Sequence, residues 1–209
     1  MTKKKLQPLV AIVMGSDSDL SVMTETAKTL AVLDVPYEIE VTSAHRSPKR
    51  TAEYARTAGS RGLRVIIAGA GGAFHLAGVI AADTTLPVIA VPIGSSPLGG
   101  WDALLAAVQM PGGVPVGVMA VGKAGAVNAA VFAAQILATA DPALAKRLVE
   151  FKEKGPGRGG EMRPASSPAR WGAAGAARAG GQAGRSRCGS LRFEEFGIHK
   201  DLGLVGKVL

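Results

Sequence analysis

Val65-Ile66-Ile67-Ala68-Gly69-Ala70-Gly71-Gly72-Ala73-Phe74-His75 opens on branched apolar residues and closes on glycines and a histidine. A short, wholly apolar run of this kind reads as a parallel strand buried on both faces. The glycine-rich end reads as the loop leading into a helix. The same grammar occurs twice upstream. Residues 9–14 run into Gly15-Ser16-Asp17-Ser18-Asp19, and residues 37–41 run into Ser43-Ala44-His45-Arg46-Ser47-Pro48. Two further strands are expected at 87–91 and 114–120. Helices are expected at 19–33, 48–58, 74–82, 101–109 and 125–139, with a last one at 142–154. Asp19, Ser47-Pro48 and Asp141-Pro142 supply helix-start signals. Strands alternating with helices predict a three-layer α/β fold around a parallel five-stranded sheet. Ligands of such sheets bind outside the carboxyl ends of the strands. Three successive strand ends here carry glycines, hydroxyls, a carboxylate, an arginine and two imidazoles.

Composition narrows the class. The 47% hydrophobic content supports a core, and the 4% aromatic content makes that core aliphatic. No apolar run reaches the roughly 18–20 residues that span a bilayer. The basic start, Met1-Thr2-Lys3-Lys4-Lys5, is followed by an apolar run too short for a signal sequence. A cytoplasmic protein with no membrane partner is expected. One cysteine, Cys188, excludes an internal disulfide and a multi-cysteine metal site. Its Arg-Ser-Arg-Cys-Gly surroundings favour incidental exposure over a nucleophilic role.

Charge and composition divide the chain. Residues 1–154 carry 15 Lys and Arg against 12 Asp and Glu, whereas residues 155–209 carry 9 against 4. The basic excess therefore belongs largely to the tail. From Gly155 to Gly189 the chain is dominated by Gly, Ala, Arg, Ser and Pro without periodicity. That composition predicts a disordered extension, 155–209, behind a folded domain at 1–154. A basic Gly/Arg tail can bind nucleic acid. A solvated extension is the favoured reading. The alanine-rich segment 124–140 has almost no charge, so it must be buried. Its second face is expected to meet another subunit.

The loops carry the chemistry. Gly15 allows close approach, the N–H groups that open a helix attract anions, and Ser16 and Ser18 add hydroxyls. Asp19 can cap the helix or accept from ribose hydroxyls. Arg46 offers a fork of donors suited to phosphate. His45 can exchange a proton near neutral pH. The glycines at 69, 71 and 72 are expected to leave backbone amides open to a carboxylate or a CO₂-sized group. No dinucleotide fingerprint, P-loop lysine, Ser-His-Asp order or metal-ligand spacing is present. Two histidines alone make a poor zinc site, so no metal is expected.

Together these segments resemble the class I N5-carboxyaminoimidazole ribonucleotide mutases of purine biosynthesis. The matching text runs from Val10-Ala11-Ile12-Val13-Met14-Gly15-Ser16-Asp17-Ser18-Asp19 through Ser43-Ala44-His45-Arg46 and Ile66-Ile67-Ala68-Gly69-Ala70-Gly71-Gly72. It continues through His75-Leu76, Val108-Gln109-Met110-Pro111-Gly112-Gly113-Val114-Pro115-Val116 and Gly122-Lys123-Ala124-Gly125. It covers roughly residues 8–150. The resemblance implies a flavodoxin-like fold assembled as a homo-octamer. It implies conversion of N5-carboxyaminoimidazole ribonucleotide to 4-carboxy-5-aminoimidazole ribonucleotide without metal or organic cofactor. By motif, Ser18, Ser43 and Arg46 hold the phosphate of the small-molecule substrate, and Asp19 holds the ribose hydroxyls. Ser16, Ala70, Gly71 and Leu76 enclose the ring and the migrating carboxyl. His45 is the acid/base, and His75 shapes and polarises the site.

The chain departs from the family pattern at Phe74, where a small alanine is usual, and in Leu76-Ala77-Gly78-Val79, where Leu-Pro-Gly-Met is usual. Both raise the question of substrate fit, because Phe74 is bulky beside the expected CO₂ pocket. Two other readings stay open. One is an aminoimidazole ribonucleotide carboxylase that uses free CO₂. The other is a non-catalytic nucleotide-binding module that uses its tail on nucleic acid. Arg46 in place of a lysine, and His75 in Gly-Gly-Ala-Phe-His, favour the mutase over the first. The pair of histidines argues against the second.

Overall fold

The computed structural model describes residues 7–154. The expectations for the 155–209 extension and for Cys188 lie outside the described residues. Five strands form one parallel sheet: β1 (Val10–Met14), β2 (Tyr37–Val41), β3 (Val65–Gly71), β4 (Val88–Ile93) and β5 (Gly117–Val118), in the order β2-β1-β3-β4-β5. The helices are α1 (Leu20–Val32), α2 (Pro48–Ala58), α3 (Leu76–Asp83), α4 (Trp101–Val108), α5 (Lys123–Ala138) and α6 (Pro142–Lys154). The parallel five-stranded α/β architecture is the expected one.

Strands β1, β3 and β4 are apolar throughout because both sheet faces are covered there, whereas the edge strand β2 carries Glu38 and Glu40. Val10, Ile12 and Met14 of β1 join Val65 and Ile67 of β3 and Ile89, Val91 and Ile93 of β4 in one core. Helices α1, α5 and α6 close that core with Leu30, Ala130 and Leu144 among others. The intervening residues Ala11, Val13, Ile66, Ala68 and Ala90 face a second core under α2, α3 and α4. Period-two alternation thus sorts side chains between two apolar layers.

Strands β3 and β5 differ most from expectation, for different reasons. β3 runs on through Gly71, so Gly69, Ala70 and Gly71 stand in the ladder opposite Val91, Pro92 and Ile93. Their amides therefore do not form an open loop. The glycines answer a need for close approach instead. A Cβ on Gly69 would sit 2.8 Å from Met23 Cγ of α1. β5 is shorter than expected. Pro115 has no N–H to donate, and pairing begins only at Gly117. Helix α3 starts at Leu76, two residues later than expected, because Gly72 adopts φ 59° and tight turns carry the chain through Phe74 and His75.

The alanine-rich helix is buried on one face within this chain, while Phe132 on the same helix stays 40% exposed. Ala126, Ala129, Ala130, Ala133 and Ala134 of α5 are fully buried against this chain's own sheet and α1. The Thr26 hydroxyl also donates to the Ala126 carbonyl at 2.9 Å. A charge at Ala130 would therefore break the fold of a single chain, and it does not test assembly. An apolar stripe left uncovered lies on α4. Ala103 and Ala107 face the core, while Trp101, Leu105 and Val108 are 67%, 52% and 51% exposed. Their spacing of four and three residues puts them on one helix face.

Candidate active site

The carboxyl ends of four strands converge on a cleft of about 330 Å³. After β1 the chain forms a single 3-10 turn at Asp17–Asp19. The Ser18 N–H donates to the Ser16 hydroxyl, and the Ser16 N–H donates to the Asp19 carboxylate at 3.1 Å. This reciprocal box fixes the turn. The Ser18 hydroxyl donates to the Ser16 hydroxyl at 3.0 Å. After β2, the Ser47 hydroxyl donates to the Ser43 carbonyl at 3.0 Å, and the Arg46 N–H donates to the Ser43 hydroxyl. The Arg46 guanidinium crosses to donate to the Gly15 carbonyl at 3.2 Å. The β1 and β2 loops are thereby joined, and Arg46 stays exposed at the cleft.

Ser16, Ser18, Asp19, Ser43, His45, Arg46, Ala70, Gly71 and Leu76 all line this cleft. His75 does not line it. It occupies the position just before α3, and its Nδ1 lies 2.8 Å from Nε2 of His45. The two rings meet edge to face with centroids 5.0 Å apart. A hydrogen bond between two ring nitrogens needs one donor and one acceptor, so one of the bridging nitrogens must be unprotonated. The pair can hold one proton in the bridge and present the remaining ring nitrogens outward. Thirty residues of sequence separate the two histidines, and the junctions after β2 and β3 bring them together.

Phe74 corrects an expectation. It is 1% exposed and packs in the core with Ala55, Ala58, Ala77 and Ile80. The small Ala73 lines the cleft in its place. Ala77 is fully buried in the same core. The departures at Phe74 and Ala77 therefore fall in packing and not on the cleft wall. Ser95 is the polar lining residue that sequence reading missed, beside the small Ala44 and Ala73. The signal was present, since Gly94-Ser95-Ser96 follows β4 much as Gly15-Ser16 follows β1. Among the described residues no group of three or more His, Cys, Asp or Glu is arranged to hold a metal.

Asp19 is 4% exposed. Burial pushes its carboxyl up from 3.8 to about 6, the Ser16 N–H opposes the rise, and the nearby Asp17 charge adds to it. A carboxyl with a raised folded-state pKa binds more protons folded than unfolded. Its contribution to stability is complete below 3.8 and is lost as pH rises through about 6. Asp19→Asn removes that dependence. Thermal melting across this range should show the variant gaining on the parent as pH rises. A difference between the two proteins that is flat with pH contradicts the assignment.

The AIR carboxylase family model matches residues 9–156. The chain is 58% identical over 148 residues to the N5-carboxyaminoimidazole ribonucleotide mutase of Bacillus subtilis, covering 71% of this chain and 91% of that protein. It is 51% identical over 153 residues to the protein of the same name from Escherichia coli K12, covering 73% and 90%. Among solved structures, Treponema denticola PurE superposes with a TM-score of 0.63 at 27% identity, covering 70% of this chain and 90% of that one.

Proposed function

Because the chain belongs to the AIR carboxylase family, we propose that it works in purine biosynthesis as an N5-carboxyaminoimidazole ribonucleotide mutase, converting its substrate to 4-carboxy-5-aminoimidazole ribonucleotide. The observation that carries this reading is the His45–His75 bridge at a cleft that also holds Arg46, four serines and a buried aspartate. In this reading Ser18, Ser43 and Arg46 take the phosphate, and Asp19 takes the ribose hydroxyls. Ser16, Ala70, Gly71 and Leu76 enclose the ring and carboxyl.

His45 is the proton carrier. As imidazolium it protonates the carbamate nitrogen, the C–N bond breaks, and CO₂ leaves. The ring carbon then attacks CO₂, which the small-residue wall keeps nearby, so that the return is effectively intramolecular. The neutral imidazole finally takes the proton from that ring carbon. His45 ends as it began, and no net proton is consumed. His75 orients His45 through the bridge and is its partner in proton sharing. The test compares turnover of the carbamate with turnover of the decarboxylated ribonucleotide plus bicarbonate. Preference for the second substrate pair would make the protein a free-CO₂ carboxylase, and binding without turnover of either would make it a nucleotide-binding module.

The working form in this reading is a cytoplasmic homo-oligomer, an octamer as the family resemblance implies. The exposed Trp101, Leu105 and Val108 stripe on α4, with Leu98 63% exposed before it, supports a second copy of the chain as its cover. Contiguous apolar surface of this kind marks interaction sites. Leu105→Glu leaves the core untouched, so it should lower the mass seen by light scattering while the protein still melts cooperatively. An unchanged mass removes α4 from the interface. Among the described residues no helix is long and apolar enough to cross a membrane.

A further inference from the structure

The cleft is chemically uneven. Its β1 and β2 side offers Ser16, Ser18, Asp19, Ser43 and Arg46, whereas its β3 side offers Ala70, Gly71, Ala73 and Leu76. The β3 side thus supplies no side-chain hydrogen-bond donor. A carboxylate placed there has lost water and needs a replacement donor, because an unpaired charge in apolar surroundings is strongly disfavoured. Ser95 stands at that side, at the end of β4.

Its placement is defined by packing. A Cβ on Gly71 would collide with the Ser95 Oγ, and would also lie 2.9 Å from the Ile93 carbonyl oxygen. The Ser95 hydroxyl therefore sits directly over the Gly71 Cα, in space that any other residue at 71 would fill. The loop behind it is tightly closed. A Cβ on Gly94 would lie 3.1 Å from the Gly99 carbonyl oxygen, and Gly99 and Gly100 take φ 61° and 93°. The neighbouring Ser96 hydroxyl is occupied, accepting from the Leu98 N–H at 3.2 Å. The Ser95 side chain remains exposed at the cleft.

We propose that the Ser95 hydroxyl determines specificity for the carboxylated nucleotide by donating a hydrogen bond to the migrating carboxyl group. This rests on the mutase reading above. Gly71 then has a second purpose, since its missing side chain is what lets the hydroxyl approach the pocket wall. The donor would hold the carboxylate before cleavage and after its return, without taking part in proton transfer.

Equilibrium binding separates this role from simple packing. Two ligands are compared on the intact protein: 4-carboxy-5-aminoimidazole ribonucleotide, and the same nucleotide without its carboxyl. Ser95→Ala should weaken the first by about 10-fold or more, the scale of a hydrogen bond to a charged group. The second should stay within about twofold. Ser95→Cys, similar in size but a poor donor, should show the same split, and melting curves confirm that both variants fold. Equal weakening of both ligands, or of neither, overturns the proposal. Failure of the unsubstituted protein to bind either nucleotide overturns the mutase reading, and this proposal falls with it. Normal parent binding without the split condemns Ser95 alone.

Discussion

His45→Asn is expected to lower turnover by at least about 100-fold while leaving nucleotide binding nearly intact, the scale of general acid–base catalysis. Asparagine keeps a polar group at the Nδ1 end of the imidazole but is too short to reach His75 Nδ1, which lies 2.8 Å from the native Nε2, so the bridge is lost with the proton carrier. Asparagine cannot carry a proton at neutral pH. The side chain is exposed, so the fold loses little when it changes. The groups assigned to the phosphate and ribose, Ser18, Ser43, Arg46 and Asp19, are untouched. A loss confined to kcat, with Kd for the product nucleotide preserved, is the signature. Near-normal turnover in His45→Asn would remove His45 from the chemistry. His75→Asn provides the graded comparison. It should cost less, because it removes the partner of the proton carrier and leaves the carrier itself.

The second large effect is on stability. Phe74→Ala should destabilise the chain by about 3–5 kcal/mol, the usual range for a fully buried aromatic cut back to alanine. Among the described residues Phe74 is the largest fully buried side chain, and its core cluster is rich in alanine, Ala55, Ala58 and Ala77 among them. Alanines cannot extend to fill the space it vacates, so the cavity persists. The melting temperature should fall by roughly 10 °C in a domain of this size. Below the transition the variant should keep most of its kcat/KM, because Phe74 is absent from the cleft lining. A variant with unchanged stability and a wider substrate range would return Phe74 to the cleft wall.

The chain's own order of residues determined the architecture. Residues 10–14, 65–68 and 88–91 are continuously apolar, and only a sheet covered on both faces can bury such strands. The glycines, hydroxyls and charged groups come directly after them, where a parallel sheet exposes its strand ends. The three motifs so picked out, 15–19, 43–48 and 69–75, hold every cleft residue except Leu76, which the family resemblance named, and Ser95. They also hold both histidines.

Only the tertiary structure decided which way the side chains at the β3 end turn. The sequence places Ala73, Phe74 and His75 in adjacent positions with no period to sort them. Folding sends Phe74 into the core, Ala73 to the cleft and His75 to His45. The same holds for Gly69 and Gly71. Their smallness answers to Met23, on α1, and to Ser95, after β4, neighbours that a one-dimensional reading does not place beside them. The alanines of helix α5 are consumed within the chain, Phe132 of the same helix stays exposed, and α4 carries a further uncovered stripe that no sequence pattern singled out. Local pattern fixes the period and the order of the elements. Contacts between distant elements fix orientation, burial and the surplus surface, because each depends on what the fold brings alongside.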